Sequence, residues 1–299
     1  MSSQSNVIFN CRAKVFSPYG TYIWPRTLPK SNQGIRSYLF EDISVLPTTF
    51  DSVCELQKIA LATKKRTDVI LRIRADDPDA RCALGNKYGA EEEDWPDLFT
   101  MCSRLSLNLI GISFHVGSMA KNASAFVDAI VKAKRAVCMA ERFGFEPHII
   151  DIGGGFSSVS GLPKTIKAPK GVELIAEPGR FFVERVMDLY TPVIGTKGSG
   201  LTISESLYGA FNCILFDHAQ PRVKEVRDEN WNIIEGGNVP RTIFGSTCDG
   251  GDLIYKEYDL PDGTDLGSWI VWENMGAYTC AATTRFNGIP FNDRPIVLF

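Results

Sequence analysis

The sequence predicts a chain in two parts, an α/β region on parallel strands followed by an all-β region. In the first part, short apolar runs rich in β-branched residues alternate with a long amphipathic stretch, the pattern of strands joined by crossover helices. After about residue 182 the strand-like runs continue without long helices between them. A length of 299 residues allows two medium domains, and we place them at 1–182 and 183–299.

Six runs of the first part are predicted as parallel strands. Four are apolar enough for burial on both faces, and two near the start are weaker. They are "VIF" (7–9), "VLPTTF" (45–50), "DVILRIRA" (68–75), "LNLIGISFHVGS" (107–118), "PHIIDIGGG" (147–155) and "VELIAEPGR" (172–180). Between them, residues 122–144 keep a helical apolar face through Phe126, Ile130 and Val137 and stop at Gly144.

The second part is predicted as strands separated by Gly, Asn and Asp turns. The runs are "FFVERVMDLYTPVIGTK" (181–197), "NCILFDHAQPRVKEV" (212–226), "RTIFGST" (241–247) and "SWIVWENMGAYTCAATTRFNG" (268–288).

Composition narrows the kinds of partner. The formal net charge of -3 gives no basic excess for nucleic acid or an anionic membrane surface. No apolar run approaches the roughly 20 residues of a membrane span, and the start lacks a secretory leader. Eight cysteines are scattered without metal-ligand spacing. We expect a cytoplasmic protein with a small-molecule partner and no metal site.

Three glycines, Gly153 to Gly155, end one predicted strand. They fit either a turn or a phosphate cradle. Their place at the carboxyl end of a parallel strand, before a helix, favours the cradle, because backbone N–H groups there can face an anion. Arg180 ends the next strand and can add a guanidinium.

Other candidate residues each have a plainer alternative. Glu177 could pair with a pyridinium nitrogen or with a nearby basic side chain. His115 could contact a cofactor or be a satisfied core histidine. Ser118 could cap the next helix, bind phosphate, or do both. Three stretches of the all-β part could each be a turn or a sheet surface. They contain Asp217 and His218, Cys248 and Asp249, and Tyr278. A thiol beside a carboxylate suits proton donation better than nucleophilic attack.

Together and in this order, eight motifs closely resemble the eukaryotic ornithine decarboxylases, fold-type III enzymes that use pyridoxal 5'-phosphate. The resemblance runs from about Thr49 to Asn287 and implies an alanine-racemase-like TIM (β/α) barrel followed by a C-terminal β domain. The motifs are "TFDSVCEL", "LRIRADDPDARCALGNKYGA", "GISFHVGS", "DIGGGF", "AEPGRFF", "YGAFNCILFDHA", "TCDGGD" and "ENMGAYT".

The resemblance implies roles for the cofactor site. His115 would stack on the ring, Glu177 would pair with the pyridine nitrogen and keep it protonated, and Arg72 would lie in the barrel wall nearby. The phosphate would be held by Ser118, Gly153, Gly154, Gly155, Arg180 and Tyr278.

The resemblance also implies substrate roles. Asp217 would hold the distal amino group of ornithine. Across a head-to-tail homodimer with shared active sites, Asp249 would bind substrate and Cys248 would return a proton to Cα.

The sequence departs from the family at its start. The family's first strand carries the lysine that forms a Schiff base with the cofactor, and neither that strand nor the next is found. Lys14 lies 51 − 14 = 37 positions before Asp51, against about 90 for three barrel steps of roughly 31 residues. We therefore align "VIFNCRAK" (7–14) with the third strand, and expect a truncated barrel with open edges and an irregular insert at 17–47.

Three functions follow as alternatives. The leading one is conversion of L-ornithine to putrescine and CO2 for polyamine synthesis, impaired in this chain by the missing lysine. The second is a non-catalytic regulator that resembles the antizyme inhibitors and acts by binding a partner. The third is a related decarboxylase with another diamino acid as substrate.

Overall fold

The computed structural model describes residues 8–9, 47–63, 66–156 and 171–291. The chain divides into two compact units, unit 1 (Met1–Gly179) and unit 2 (Arg180–Phe299). Each unit is described by itself.

Unit 1 is built on a six-stranded parallel sheet, as the alternation of strands and helices predicted. The strand order is β1-β6-β5-β4-β3-β2, so four consecutive crossover connections place β2 to β6 side by side. The strands are β1 (Ile8–Phe9), β2 (Thr48–Phe50), β3 (Asp68–Arg72), β4 (Asn108–Ser113), β5 (Ile149–Asp151) and β6 (Glu173–Ala176).

Strand β1 departs from the expected barrel order. It pairs with β6, with Ile8 opposite Ile175, and not with β2, the next strand in the chain. The edge of β6 is therefore covered over these two residues, although the sequence predicted an open edge there. Lys14 and residues 17–46 of the predicted insert lie outside the described residues.

Among the described residues of unit 1, three helices are longer than one turn: α1 (Val53–Ala62), α2 (Trp95–Arg104) and α3 (Ala123–Arg142). The hydroxyl of Ser52 caps α1 by accepting from the Glu55 N–H. Trp95 and Phe126 lie fully buried in one apolar core that α2, α3 and the sheet share.

A distant carboxylate holds the turn directly before α3. Asp77, fully buried, accepts from the backbone N–H of Lys121 (2.7 Å) and of Asn122 (3.0 Å). Burial alone would raise the pKa of Asp77, but these hydrogen bonds outweigh it and lower the pKa. The alternative that Ser118 caps this helix is wrong, because α3 begins five residues later, at Ala123, and its N-cap residue is Asn122.

Unit 2 is a mixed six-stranded sheet with the order β11-β10-β8-β7-β12-β9. The β8–β10 pair is parallel and the other pairs are antiparallel. The strands are β7 (Leu189–Lys197), β8 (Gly200–Ile203), β9 (Arg222–Arg227), β10 (Asn238–Phe244), β11 (Leu253–Pro261) and β12 (Trp269–Glu273).

Two predicted strand runs of the all-β part begin as short helices. Residues 181–183 belong to α4 (Gly179–Val183), where Pro178 and Gly179 suit a helix start. Residues 212–216 form α5 (Asn212–Phe216). Strands β8 and β11 were not predicted, since charged residues such as Lys256 and Glu257 interrupt the apolar pattern of β11.

The core of unit 2 centres on Trp272. Its ring meets Phe211 edge-on at 4.9 Å, and its indole N–H donates to Thr191 Oγ1 at 2.9 Å. The polar tip of this buried side chain is thereby satisfied. No helix among the described residues of either unit has the length and apolarity to cross a lipid bilayer.

Candidate active site

Three loops meet in unit 1, each following the carboxyl end of a neighbouring strand. They run from residues 114 to 120 after β4, 152 to 156 after β5, and 177 to 179 after β6. Backbone hydrogen bonds join them: Glu177 N–H donates to the Gly153 carbonyl at 2.8 Å, and Ala120 N–H donates to the Gly155 carbonyl at 3.0 Å. The loops thus form one rigid edge, the place where parallel sheets bind ligands.

The glycine loop leaves no room for side chains. Gly153 and Gly155 have positive φ angles of 65° and 89°, which glycine adopts without strain. A Cβ on Gly154 would lie 2.7 Å from the Glu177 carbonyl oxygen and 3.1 Å from His115 Nε2. This close backbone approach fits a phosphate cradle.

The end of the glycine loop is anchored in the core. Phe156 is buried and stacks on Phe126 of α3, with ring centroids 5.0 Å apart. The loop is therefore fixed at both ends, by Glu177 at its start and by Phe126 at its end.

His115 lies against the glycine loop as a neutral ring. Its Nδ1 accepts from the Gly117 N–H at 3.0 Å, so in the neutral form the proton is on Nε2. Burial, and then the charge of Arg72, lower the pKa of His115 to about 4. As a whole residue His115 is half-buried, so a cofactor contact and a core role both stay open. A neutral aromatic face is suited to stacking on a flat cofactor.

Arg72, at the end of β3, is the cation of this region. Its guanidinium carbon lies 4.6 Å from the centre of the Tyr88 ring. Burial lowers the pKa of Arg72, and the charges of Asp51 and Glu177 oppose that shift. Arg72 remains protonated at neutral pH.

Glu177 is exposed, although a buried carboxylate was expected at this strand end. Its backbone N–H is used by the loop contact with Gly153. Its charge acts on Arg72, as in the alternative that pairs it with a basic side chain. An exposed carboxylate at this edge is also accessible to a cofactor nitrogen.

Two carboxylates at this edge, Asp151 and Asp51, were not predicted from the sequence. Asp151 ends β5 fully buried, and its Oδ1 accepts from the Gly153 N–H at 2.9 Å. Asp51 accepts from the Gly89 N–H at 2.9 Å. A carboxylate two residues before the first of three glycines was the signal for Asp151, because such a side chain can bond the backbone two residues on.

Ser118 is placed by its backbone. It forms an antiparallel bridge with Cys82, donating to its carbonyl at 2.9 Å. This bridge fixes the loop after His115. The predicted contact of the Ser118 hydroxyl with phosphate stays a prediction.

In unit 2, three predicted residues come together. One terminal nitrogen of Arg180 (Nη2) donates to both carboxylate oxygens of Asp217, at 2.8 and 2.6 Å. Its other terminal nitrogen (Nη1) donates to Glu184 at 3.1 Å, and the guanidinium lies 4.8 Å from the Tyr278 ring centre. Burial works to lower the pKa of Arg180, but Asp217 and Glu184 raise it overall.

This cluster changes the expectation for Asp217. Arg180 and Asp217 are both buried, and the carboxylate already has a cation as its partner. The Arg180 Nε is buried without a hydrogen-bond partner among the described residues. The neighbouring His218 is exposed with a positive φ of 51°, as its turn alternative predicted.

A second group in unit 2 surrounds Cys248 and Asp249. Tyr208 donates its hydroxyl to Asp249 Oδ2 at 2.5 Å. This hydrogen bond, with one from the Gly251 N–H, lowers the pKa of Asp249, and it raises the pKa of Tyr208. Cys248 is exposed, and its sulfur receives a hydrogen bond from Asn287.

Asp252 holds this loop in place. It is buried and accepts from the Ser206 hydroxyl (2.9 Å) and from the Thr247 hydroxyl (2.6 Å). Tyr208, Asp252 and Asn287 were not predicted as site residues, although Tyr208 and Asp252 lie inside the motifs "YGAFNCILFDHA" and "TCDGGD". Partners of these residues lie 39 to 46 positions away, so no local pattern pairs them.

Family models match nearly the whole described chain. A model described as "Pyridoxal-dependent decarboxylase, pyridoxal binding domain" matches residues 28–184, and one described as "Pyridoxal-dependent decarboxylase, C-terminal sheet domain" matches residues 181–276.

Similar proteins are decarboxylases of basic amino acids. The chloroplastic ornithine decarboxylase of Nicotiana glauca is 37% identical over 276 residues, which cover 85% of this chain and 63% of that protein. The ornithine decarboxylase of Cricetulus griseus is 35% identical, covering 84% and 60%. The chain thus spans about three fifths of the length of these relatives.

Solved structures that resemble this chain are also of decarboxylases of basic amino acids. The arginine decarboxylase of Paramecium bursaria Chlorella virus, bound to agmatine, has a TM-score of 0.77 and 37% identity, covering 85% of this chain and 72% of that one. The lysine decarboxylase of Selenomonas ruminantium has a TM-score of 0.75 and 30% identity, covering 90% and 74%.

These matches and the loop geometry lead to the same identification. The cofactor of the family is pyridoxal 5'-phosphate, and the side-chain-free glycine loop of unit 1 fits its phosphate. The fold expected from the sequence, a barrel-type domain followed by a β domain, is confirmed. The chain belongs to the pyridoxal-dependent decarboxylases.

Proposed function

We propose that the chain carries the site of a decarboxylase that converts a basic amino acid, L-ornithine, to putrescine and CO2, with turnover impaired unless a lysine takes the Schiff-base role. The observation that carries the proposal is the convergence in unit 1 of a glycine loop, a neutral His115 and the cation Arg72 at the carboxyl edge of a parallel sheet. Pyridoxal 5'-phosphate, when bound, supplies the electron sink for loss of the carboxylate.

The residues of unit 1 would bind and orient the cofactor. The backbone of Gly153 to Gly155 would hold the phosphate, and the His115 ring would stack on the pyridine. Glu177 would hold the pyridine nitrogen in its protonated state. In the same proposal Ser118 serves the phosphate. Arg180 and Tyr278 are weaker candidates, because the terminal nitrogens of Arg180 already donate to Asp217 and Glu184.

Asp249 is the better candidate for the distal amino group of the substrate. Its two oxygens accept from Tyr208 and from the Gly251 N–H, which leaves lone pairs for a further donor. Its lowered pKa keeps it charged at neutral pH. Asp217 is largely neutralised by Arg180 and is the weaker candidate. The Cys248 thiol would return the proton to Cα.

The choice of ornithine as substrate is the most specific part of the proposal. The similar proteins are named for ornithine, lysine and arginine, which differ in the length and shape of the cationic side chain. Ornithine is favoured by the motifs "FDHA" and "TCDGGD". A pocket distinguishes one methylene by only about 10-fold to 200-fold, so all three must be compared.

The direct test is CO2 release from ornithine, lysine and arginine by the purified chain with pyridoxal 5'-phosphate. We expect turnover with ornithine to exceed that with the other two. Cys248→Ala serves as a control, since it should still bind the cofactor while losing correct product formation. Cofactor binding without CO2 release from any of the three would contradict the proposal and support the non-catalytic regulator.

A second test concerns the lysine. Borohydride reduction of the protein with bound cofactor, followed by peptide mapping, identifies any lysine to which the cofactor is attached. We expect any catalytic turnover to coincide with one labelled lysine peptide. Turnover with no labelled peptide would contradict a Schiff-base role for a lysine of this chain.

We further propose a homodimer in the cytoplasm, with Cys248 and Asp249 serving the partner's site. Cys248 is exposed, as are the apolar side chains of Leu215 (53%) and Phe216 (69%) in unit 2, which supports an interface. Sedimentation velocity of the full chain tests this proposal. A monomer at micromolar concentration that still turns over ornithine would contradict it.

A further inference from the structure

Cys248 has a hydrogen-bond donor 39 positions along the chain. The side-chain amide of Asn287 lies with its Nδ2 3.0 Å from the Cys248 sulfur. Cys248 lies in the loop between β10 and β11, and Asn287 lies in the last short helical turn, Phe286–Gly288. The contact therefore depends on the folded unit and not on local sequence.

The segment around Asn287 braces the whole Cys248–Asp249 pair. Phe286 stacks on Tyr208 with ring centroids 4.0 Å apart, and Tyr208 donates to Asp249. Phe286 thus acts on Asp249 through Tyr208, whereas Asn287 contacts Cys248 directly. The segment is therefore placed to fix the side chains of Cys248 and Asp249.

Asn287 has a backbone conformation that limits which residues can replace it. Its φ and ψ are 55° and 18°, in the left-handed region that asparagine, aspartate and glycine tolerate best. These three residue types can therefore be exchanged at this position without changing the backbone.

We propose that Asn287 is a positioning residue that holds the Cys248 thiol and favours release of its proton. The inference rests on the proposed function, in which this thiol gives a proton to Cα. An amide N–H bonds weakly to a neutral thiol and more strongly to a thiolate. The hydrogen bond should therefore stabilise the sulfur in the state that it reaches after the proton has left.

The charged side chains of the Cys248 loop are the carboxylates Asp249 and Asp252. Tyr208, which donates to Asp249, lies in the loop after β8. Arg285 lies two residues before Asn287 and is the nearest cation in that segment of sequence. Asn287 is thus the donor that the structure places directly on the sulfur.

The test compares Asn287→Gly with Asn287→Asp in the full chain. Glycine removes the donor, and aspartate replaces it with a group that accepts and carries charge. We measure the rate of iodoacetamide labelling of Cys248 against pH by peptide mass spectrometry, without cofactor. Cys138 on α3 is exposed and serves as the internal control in each sample.

The expected order of Cys248 reactivity at neutral pH is wild type, then Asn287→Gly, then Asn287→Asp. Loss of one hydrogen bond should slow labelling by about threefold to tenfold in the glycine variant, while Cys138 is unchanged. Unchanged Cys248 labelling in both variants would overturn the inference.

Activity separates this inference from the proposed function. If both hold, Asn287→Gly lowers kcat for CO2 release with ornithine and leaves KM nearly unchanged. If labelling shifts as expected but the wild-type chain has no decarboxylase activity, the positioning role stands and the proposed function fails.

Discussion

The two units build their candidate site residues by different means. In unit 1 the glycine loop, His115 and Glu177 are placed by backbone hydrogen bonds and by the absence of side chains. In unit 2 Arg180 and Asp217 are placed by ionic contacts between side chains. A backbone cradle tolerates little change in shape, whereas an ionic cluster tolerates little change in charge. Substitutions that alter one property and spare the other should therefore act differently in the two units.

The largest effect is expected for Arg180→Met. It keeps much of the side-chain volume but removes the cation from buried Asp217, and breaking a buried ion pair destabilises by about 3 to 5 kcal/mol. Hydrogen exchange in unit 2 peptides should report this loss. Lys224→Met removes the exposed contact with Asp188 and should have a much smaller effect. Equal effects of the two variants would contradict the ionic description of unit 2.

The next effect is expected for Gly155→Ala. The added Cβ would collide with the Gly117 carbonyl at a positive φ of 89°, and we expect a loss of about 3 kcal/mol. Gly144→Ala is the matched control, since its φ of 84° is similar but no atom lies within 4 Å of the new Cβ. The control should lose about 1 kcal/mol. Urea unfolding measures both, and a similar loss in both would show that shape is not the constraint in unit 1.

The third effect is a dependence of the free energy of unfolding on pH. The folded-state pKa of His115 is about 4, below its ordinary 6.5, so the unfolded chain takes up the proton first as pH falls. The contribution to stability is complete above about pH 6.5 and is lost between there and pH 4. We expect a loss of roughly 2 kcal/mol, below the full shift because His115 is only half-buried as a whole residue.

Comparing the wild type with His115→Gln across this range isolates the contribution of His115 from those of the other titrating groups. The free energy of unfolding should fall more steeply with acid in the wild type than in the variant. Parallel curves would contradict a neutral His115 in the folded state.

The smallest effect is expected for Ser206→Ala. It removes one buried hydroxyl donor to Asp252 at 2.9 Å, which should lower the stability of unit 2 by about 1 to 2 kcal/mol. Thr283→Ala removes an exposed hydroxyl bond to the Cys280 carbonyl and should change stability less. If Ser206→Ala is as mild as this control, the polar contacts beneath the Cys248 loop do not hold it.

The parts of the fold that follow local rules could be predicted from the sequence. The six runs of unit 1 became strands, and the helix expected over 122–144 spans Ala123–Arg142. The early part of unit 2 was harder to predict from the sequence. Its helices α4 and α5 are short, and their apolar residues resemble a strand pattern. Five-residue helices carry too little periodicity to be distinguished from a strand.

The candidate site was partly predictable for a similar reason. The glycine loop, His115 and Arg180 stand at strand ends, where the sequence itself indicates a position at the sheet edge. The pairing of Arg180 with Asp217 spans 37 positions, and that of Asn287 with Cys248 spans 39. No local pattern specifies which carboxylate or thiol meets a given donor at such separations.

The sequence by itself determined the alternation of strands and helices, the place of the glycine loop and the types of its reactive residues. Hydrophobic period and turn chemistry act over a few residues, so they can be read along the chain. Only the tertiary structure decided that Asp77 holds the turn before α3, that Arg180 neutralises Asp217 and that Asn287 reaches Cys248. These contacts arise from packing, which brings distant side chains within hydrogen-bond distance only after the sheets have formed.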